Sequence, residues 1–99
     1  GELAREFEEK LQLRLQLKHR PLSVNSGTSG LHLALAVAGV KAGDEVILPA
    51  QTFIATGLAI LMQHAKPIFA DIQPDTGNIC PLSIRKKITS KTKAIIPVH

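Results

Sequence analysis

Tryptophan and tyrosine are missing from this sequence, phenylalanine occurs three times, and cysteine and methionine once each. So few flat rings leave almost nothing for nucleic-acid bases to stack on. The lone Cys80 excludes an internal disulfide framework, and no Cys/His grouping has metal-ligand spacing. No apolar run reaches the ~20 residues that a membrane-spanning helix needs, and the opening residues lack the apolar stretch of a secretory leader. These absences favour a soluble protein of a reducing compartment, expected in the cytoplasm, with neither nucleic acid nor membrane as partner. Acidic residues are also missing from the last stretch, where Arg85, Lys86, Lys87, Lys91 and Lys93 produce the net charge of +4. With no aromatic residue among them, they read as a solvated helix and turn, with charges placed where a helix dipole favours cations.

What is present is globular. Hydrophobic residues make up 44% and charged residues 20% of 99 positions, a balance that can support a core. The length allows one domain at most. The chain begins at Gly1 and stops at Pro97-Val98-His99, directly after an apolar run with no turn or cap, so the expectation is a larger domain cut short.

The first 20 residues read as an N-terminal helix and linker. Leu3, Phe7 and Leu11 share one helical stripe, Glu residues come early and basic ones later, and Pro21 closes the segment. Leu11 to Leu17 alternates strictly, but Leu, Gln and Arg favour a helix, expected to about residue 16. Residues 21–99 alternate strands with helices. Strands are expected at 22–25, 45–48, 67–70 and 94–98. One helix spans Leu31 to Ala38, with Gly39 just past its end. A second, capped by Thr52, runs to about His64 and is apolar on most sides, hence buried. A third starts at Pro81 with Ile84 and Ile88 as its apolar edge. This pattern defines an α/β fold around a mostly parallel sheet.

Between the first strand and its helix lies Ser26-Gly27-Thr28-Ser29-Gly30. Small residues at a helix N-terminus let a phosphate approach unpaired N–H groups, and hydroxyls add donors. The chain has no Lys between Gly30 and Lys41, which excludes a Walker A loop, and lacks the third glycine of the dinucleotide fingerprint. Asp44 and Glu45 lie at the wrong end of the second strand for a ribose acid. Phe53 follows that strand by a few residues, so ring and loop fall on the same sheet edge. A phosphorylated aromatic cofactor suits both; taken alone, the loop also fits a capped turn and Phe53 a core position. Cys80, His19, His32, His64 and His99 carry no recognisable catalytic or metal pattern.

The run Asn25-Ser26-Gly27-Thr28-Ser29-Gly30-Leu31-His32-Leu33-Ala34-Leu35 resembles the DegT/StrS family of pyridoxal-phosphate-dependent sugar aminotransferases. The blocks 43–49, 52–56, 65–71 and 92–99 follow in family order, so the resemblance covers about residues 24–99, with Phe7-Glu8 a looser match to the opening helix. One departure is Leu17, near which the family often has Gly. The resemblance implies the N-terminal part of a fold-type-I transferase large domain. It also implies an amino group moved from glutamate to a nucleotide-linked keto-sugar, with pyridoxamine phosphate as its carrier, in a homodimer or other homo-oligomer. By the same resemblance Gly27, Thr28 and Ser29 bind the phosphate of pyridoxal 5'-phosphate and Phe53 stacks on its pyridine ring. The family's Schiff-base Lys and its Asp partner of the ring nitrogen have no counterpart among these residues, so no catalytic residue is assigned in this chain.

Two other readings stay open. A related sugar dehydratase differs at the missing Lys position, and a non-enzymatic phosphate-binding or interaction module needs no lysine at all. In fold-type-I enzymes the first strand stands apart from the next three, so the strand at 22–25 is expected to be an orphan that promotes self-association. The isolated chain is expected to transfer no amino group from glutamate to a keto-sugar. Turnover by the purified chain, followed as 2-oxoglutarate release, would refute that expectation.

Overall fold

A computed structural model describes all residues from Gly1 to His99. Helix α1 (Glu2–Arg14) is followed by α2 (Gly27–Val37), β1 (Glu45–Pro49), α3 (Ile54–Met62), β2 (Lys66–Ala70), α4 (Pro81–Lys87) and β3 (Thr92–Ile95). The three strands form one parallel sheet in the order β2-β1-β3. On one side Glu45 to Pro49 pair in register with Lys66 to Ala70. On the other, Val46 meets Ala94 and Ile47 meets Ile95, with an irregularity next to Glu45 that leaves Lys93 unmatched.

The central place of β1 explains its composition. With a strand on each side and helices over one face, Val46, Ile47 and Leu48 have no solvent exposure, as expected of an interior parallel strand. Val46 and Leu48 share one face by the two-residue period. Against that face pack Leu35 of α2, Ala59 and Ile60 of α3, and Val40 and Ala65 from the turns beyond those helices. The Gln63 side chain ties the same turns together: its Nε2 donates to the Val40 carbonyl at 2.9 Å, while its Oε1 lies 2.7 Å from His32 Nε2.

Three helices end in the same way. After α2, Gly39 at φ 79° donates to the Ala36 carbonyl and Val40 to that of Leu35. This Schellman ending places Val40 back against Leu35 in the core. After α3, His64 at φ 56° takes the left-handed position, with Ala65 donating to Ile60. After α1, Gln16 at φ 53° does so, with Leu17 donating to Gln12. Only Gly39 has the residue that such a backbone favours. Close to Leu17, where the resemblance leads one to seek Gly, the left-handed position falls on Gln16.

Five expectations need correction. Helix α2 starts at Gly27, not Leu31, so Gly27 to Gly30 form its first turn rather than a loop before it. Residues 22–25 form no strand and stay outside the sheet, although β2 and β3 each keep a free edge. Instead the Ser23 N–H donates to Glu8 Oε1 at 2.7 Å. Thr52 does not cap α3; Phe53 occupies the N-cap position without a side-chain bond, and Thr52 Oγ1 lies 2.8 Å from Thr56 Oγ1. Nor is α3 buried on most sides: Ala55, Thr56, Ala59 and Ile60 are buried, but Ile54, Leu58, Leu61 and Met62 face outward. The last strand runs over Thr92–Ile95, two residues earlier than its apolar run suggested, and Ile96 remains attached by donating to the Ile47 carbonyl. The rest of the alternating α/β pattern stands, as does the expectation that segment 22–25 would be left outside the sheet formed by the other three strands.

Helix α1 makes no extensive contact with any other helix or strand. Its tie to the body is Glu8, buried to 6% exposure, which accepts from Ser23 and pairs with Arg20. The Ser23 backbone N–H, then its hydroxyl, hold the Glu8 carboxyl below its ordinary pKa; Arg20 adds to this, and partial burial works the other way. By contrast, the Arg5–Glu9 and Lys10–Glu6 pairs lie in solvent on the helix itself and contribute little.

Truncating Leu48 to Ala removes buried methyl groups from the only strand with two neighbours. A loss of about 2–5 kcal/mol is expected, enough to unfold much of a small domain. Leu3→Ala, at an exposed position on α1, should stay within about 0.5 kcal/mol. Urea unfolding followed by circular dichroism checks both.

Candidate functional site

The loop before α2 is ordered by its own hydroxyls. Ser26, with extended backbone, caps the helix: its Oγ accepts from the Ser29 N–H at 3.1 Å and its carbonyl accepts from Gly30. The Ser26 hydroxyl donates to Ser29 Oγ at 3.0 Å, and the Ser29 hydroxyl donates to Asn25 Oδ1 at 2.7 Å. The N–H groups of Gly27 and Thr28 find no acceptor in the chain, nor does the Thr28 hydroxyl find a partner. These unsatisfied donors stand at the positive end of the α2 dipole. A methyl group built on Gly27 meets nothing within 4 Å, so the space in front of it is open.

That open space belongs to a groove of about 580 Å³ lined by Gly27, Thr28, Gly30, Leu31, Ala34, Phe53, Ala55 and Thr56. The sequence had suggested that loop and ring share one sheet edge, and the groove brings Gly27, Thr28 and Phe53 together. Ser29 is not part of its wall; its hydroxyl is committed to Asn25. Phe53 is 78% exposed, so it is no core aromatic. It sits four residues past the end of β1, where the chain turns into α3, and its carbonyl accepts from the Thr56 N–H at 3.1 Å.

Sequence reading missed Thr56. It is buried, lines the groove, and its hydroxyl meets Thr52 across the turn that presents Phe53. The signal was available as two threonines four apart on either side of a helix start, a spacing that places their hydroxyls within reach. Ala34 and Ala55 also line the groove. The remaining sequence candidates stay apart. Cys80 lies partly buried just before α4, and His99 is exposed at the chain end, neither of them on the groove. No group of His, Cys, Asp and Glu is arranged to hold a metal ion, and no helix is long and apolar enough to cross a membrane.

A parallel sheet with a helix N-terminus and an exposed ring on one groove is an arrangement able to receive a phosphorylated ligand. The chain belongs to the DegT/DnrJ/EryC1/StrS aminotransferase family, whose profile matches residues 1–99. It is 43% identical over all 99 residues to a pleiotropic regulatory protein of Geobacillus stearothermophilus, of which it covers 26%. It is 46% identical over 74 residues, 75% of this chain and 18% of the other, to the L-glutamine:2-deoxy-scyllo-inosose aminotransferase of Streptomyces fradiae. Among solved structures it resembles NtdA of Bacillus subtilis with bound cofactor PMP, at TM-score 0.92 and 40% identity, over 100% of this chain and 22% of that one. The chain thus spans about a quarter of the length of the relatives that it matches from end to end.

Replacing Ser26 with Ala removes the acceptor for Ser29 N–H and loosens the first turn of α2. A loss of about 1 kcal/mol is expected, or a melting point lower by roughly 4–8 °C in a domain of this size. Thermal unfolding by circular dichroism measures it.

Proposed function

We propose that this chain supplies the phosphate cradle and ring platform of a pyridoxal-phosphate-dependent sugar aminotransferase. In this reading the whole enzyme moves an amino group from glutamate to a nucleotide-linked keto-sugar. The observation that carries it is the groove, with unsatisfied donors at Gly27 and Thr28 on one wall and the exposed ring of Phe53 on the other. The residues present fit the cofactor. An anionic phosphate satisfies the free N–H groups of the α2 terminus, and a flat heteroaromatic ring suits Phe53. Pyridoxal phosphate, when bound, supplies the electron sink that lets an amine be carried from an amino acid to a keto group.

The chain's own residues divide the binding work. Gly27 and Thr28 donate backbone N–H bonds to the phosphate, assisted by the Thr28 hydroxyl and by the helix dipole. Gly27 has no side chain to obstruct the approach. Ser29 acts on the same phosphate from behind the groove wall, by holding Asn25 and Ser26 in the loop. Phe53 keeps one face of the ring dry and fixes its plane, while the Thr52–Thr56 pair holds the turn on which Phe53 sits. None of these groups moves a proton or forms a covalent bond to substrate. The lysine that carries out transfer in this reading is supplied by residues other than these 99, so this chain binds and orients but does not transfer. The Streptomyces relative is named for glutamine, not glutamate, as amino donor.

Large apolar side chains exposed on α1, namely Leu3, Phe7 and Leu13, support a homo-oligomeric enzyme in which this helix is covered. An unpaired Cys80 suits the reducing cytoplasm.

Titrating isotopically labelled chain with pyridoxal phosphate should shift the amide signals of Gly27, Thr28 and Ser29 before any others. Phe53→Ala should weaken binding about 3- to 10-fold, the range of one aromatic contact. Shifts confined to the lysines of α4, or none at all, would reject the reading.

A further inference from the structure

Glu8 is one of three buried polar or charged side chains, and the only ionised one. It belongs to a helix that otherwise barely touches the body. Its Oε1 accepts from both the N–H and the Oγ of Ser23, each at 2.7 Å, and its Oε2 lies 3.3 Å from Arg20 Nη1. Ser23 stands three residues before Ser26, the cap of α2. Between them, Val24 reaches the first turn of α2: a methyl group on Gly30 would stand 3.5 Å from Val24 Cγ2.

The segment entering the loop is therefore held at two points, by Glu8 on one side and by the α2 turn on the other. The direction of the free Gly27 and Thr28 N–H groups follows from where the chain enters the helix. Releasing Ser23 lets Val24, Asn25 and Ser26 move together, and the cap with them.

We propose that Glu8 is a positioning residue for the phosphate loop. Its carboxylate fixes Ser23 and, through it, the path of residues 24–26 into α2. The consequence for ligand affinity rests on the reading of the groove given above; the anchoring of the loop does not. A carboxylate that only fastened α1 to the body would leave the loop unchanged when removed.

The test compares the full chain with Glu8→Ala, Glu8→Gln, Ser23→Ala and Arg5→Ala. The last of these breaks an exposed ion pair on the same helix. Hydrogen exchange is read without ligand at Ser29 and Gly30, whose N–H groups are bonded to Ser26, and at Val46 to Leu48 as the core reference. Affinity for pyridoxal phosphate is read separately. Glu8→Ala should speed exchange at Ser29 and Gly30 at least 10-fold with β1 still protected, and weaken pyridoxal phosphate about 10-fold. Glu8→Gln keeps an oxygen for Ser23 and should recover most of both. Ser23→Ala removes one of the two bonds and should give a smaller change of the same kind; Arg5→Ala should give none.

Unchanged loop exchange in Glu8→Ala, with β1 protected, overturns the proposal. If Glu8→Ala loses β1 protection, Ser23→Ala decides in its place, and unchanged loop exchange there overturns the proposal equally. Wild-type chain that fails to bind pyridoxal phosphate, while Glu8→Ala still speeds loop exchange, supports the anchoring and refutes the functional reading instead.

Discussion

The packing of α2 and α3 against one face of β1 is the constraint on which the groove depends. Val46 and Leu48 present a dry surface, and Leu35, Ala59 and Ile60 close over it. At roughly 25 cal/mol per Å² of apolar area, burial of this kind is the main favourable contribution to so small a fold. It also has a geometrical result. Two helices fixed side by side on one strand have their N-termini fixed as well, so the Ser26 cap and the Phe53 turn face each other across a set distance. The Gln63 bonds to Val40 and His32 hold the opposite ends together. The site is open because the helices are joined at the end away from it.

Much of this order could be read from the residues themselves. The apolar strands at 45–48 and 67–70, the Pro81 helix start and the Gly39 turn all follow from local chemistry, and all are present. The segment 22–25 misled because a short stretch suited to a strand carries no record of whether a neighbour pairs with it. Helix α3 misled for a related reason. An all-round apolar sequence records every surface that a helix covers in its working state, while this chain covers only one side of it.

The candidate site was legible to the extent that its donors are backbone groups. A run of Gly, Thr and Ser at a helix start announces exposed N–H groups, and Gly27 and Thr28 line the groove with theirs free. Side-chain partnerships were less accessible. Nothing in the order of residues reveals that the Ser29 hydroxyl turns to Asn25, whereas the Thr52–Thr56 contact left a trace only in its spacing of four. Glu8 was the hardest to anticipate. A glutamate among four in an acidic helix start looks like dipole compensation, and only the fold shows that this one reaches across 15 positions to Ser23.

The order β2-β1-β3 means that the core strand comes first in the sequence and both of its neighbours come later. During synthesis, Val46, Ile47 and Leu48 leave the ribosome with no strand beside them. One flank is covered only after residue 70 and the other only after residue 95. At ribosomal rates of about 5–20 residues per second, the interval from Pro49 to Ile95 lasts roughly two to nine seconds. An apolar strand with open edges is a template for pairing with another chain during that interval. The arrangement that makes β1 the driest part of the finished protein therefore makes it the most vulnerable part of the nascent one.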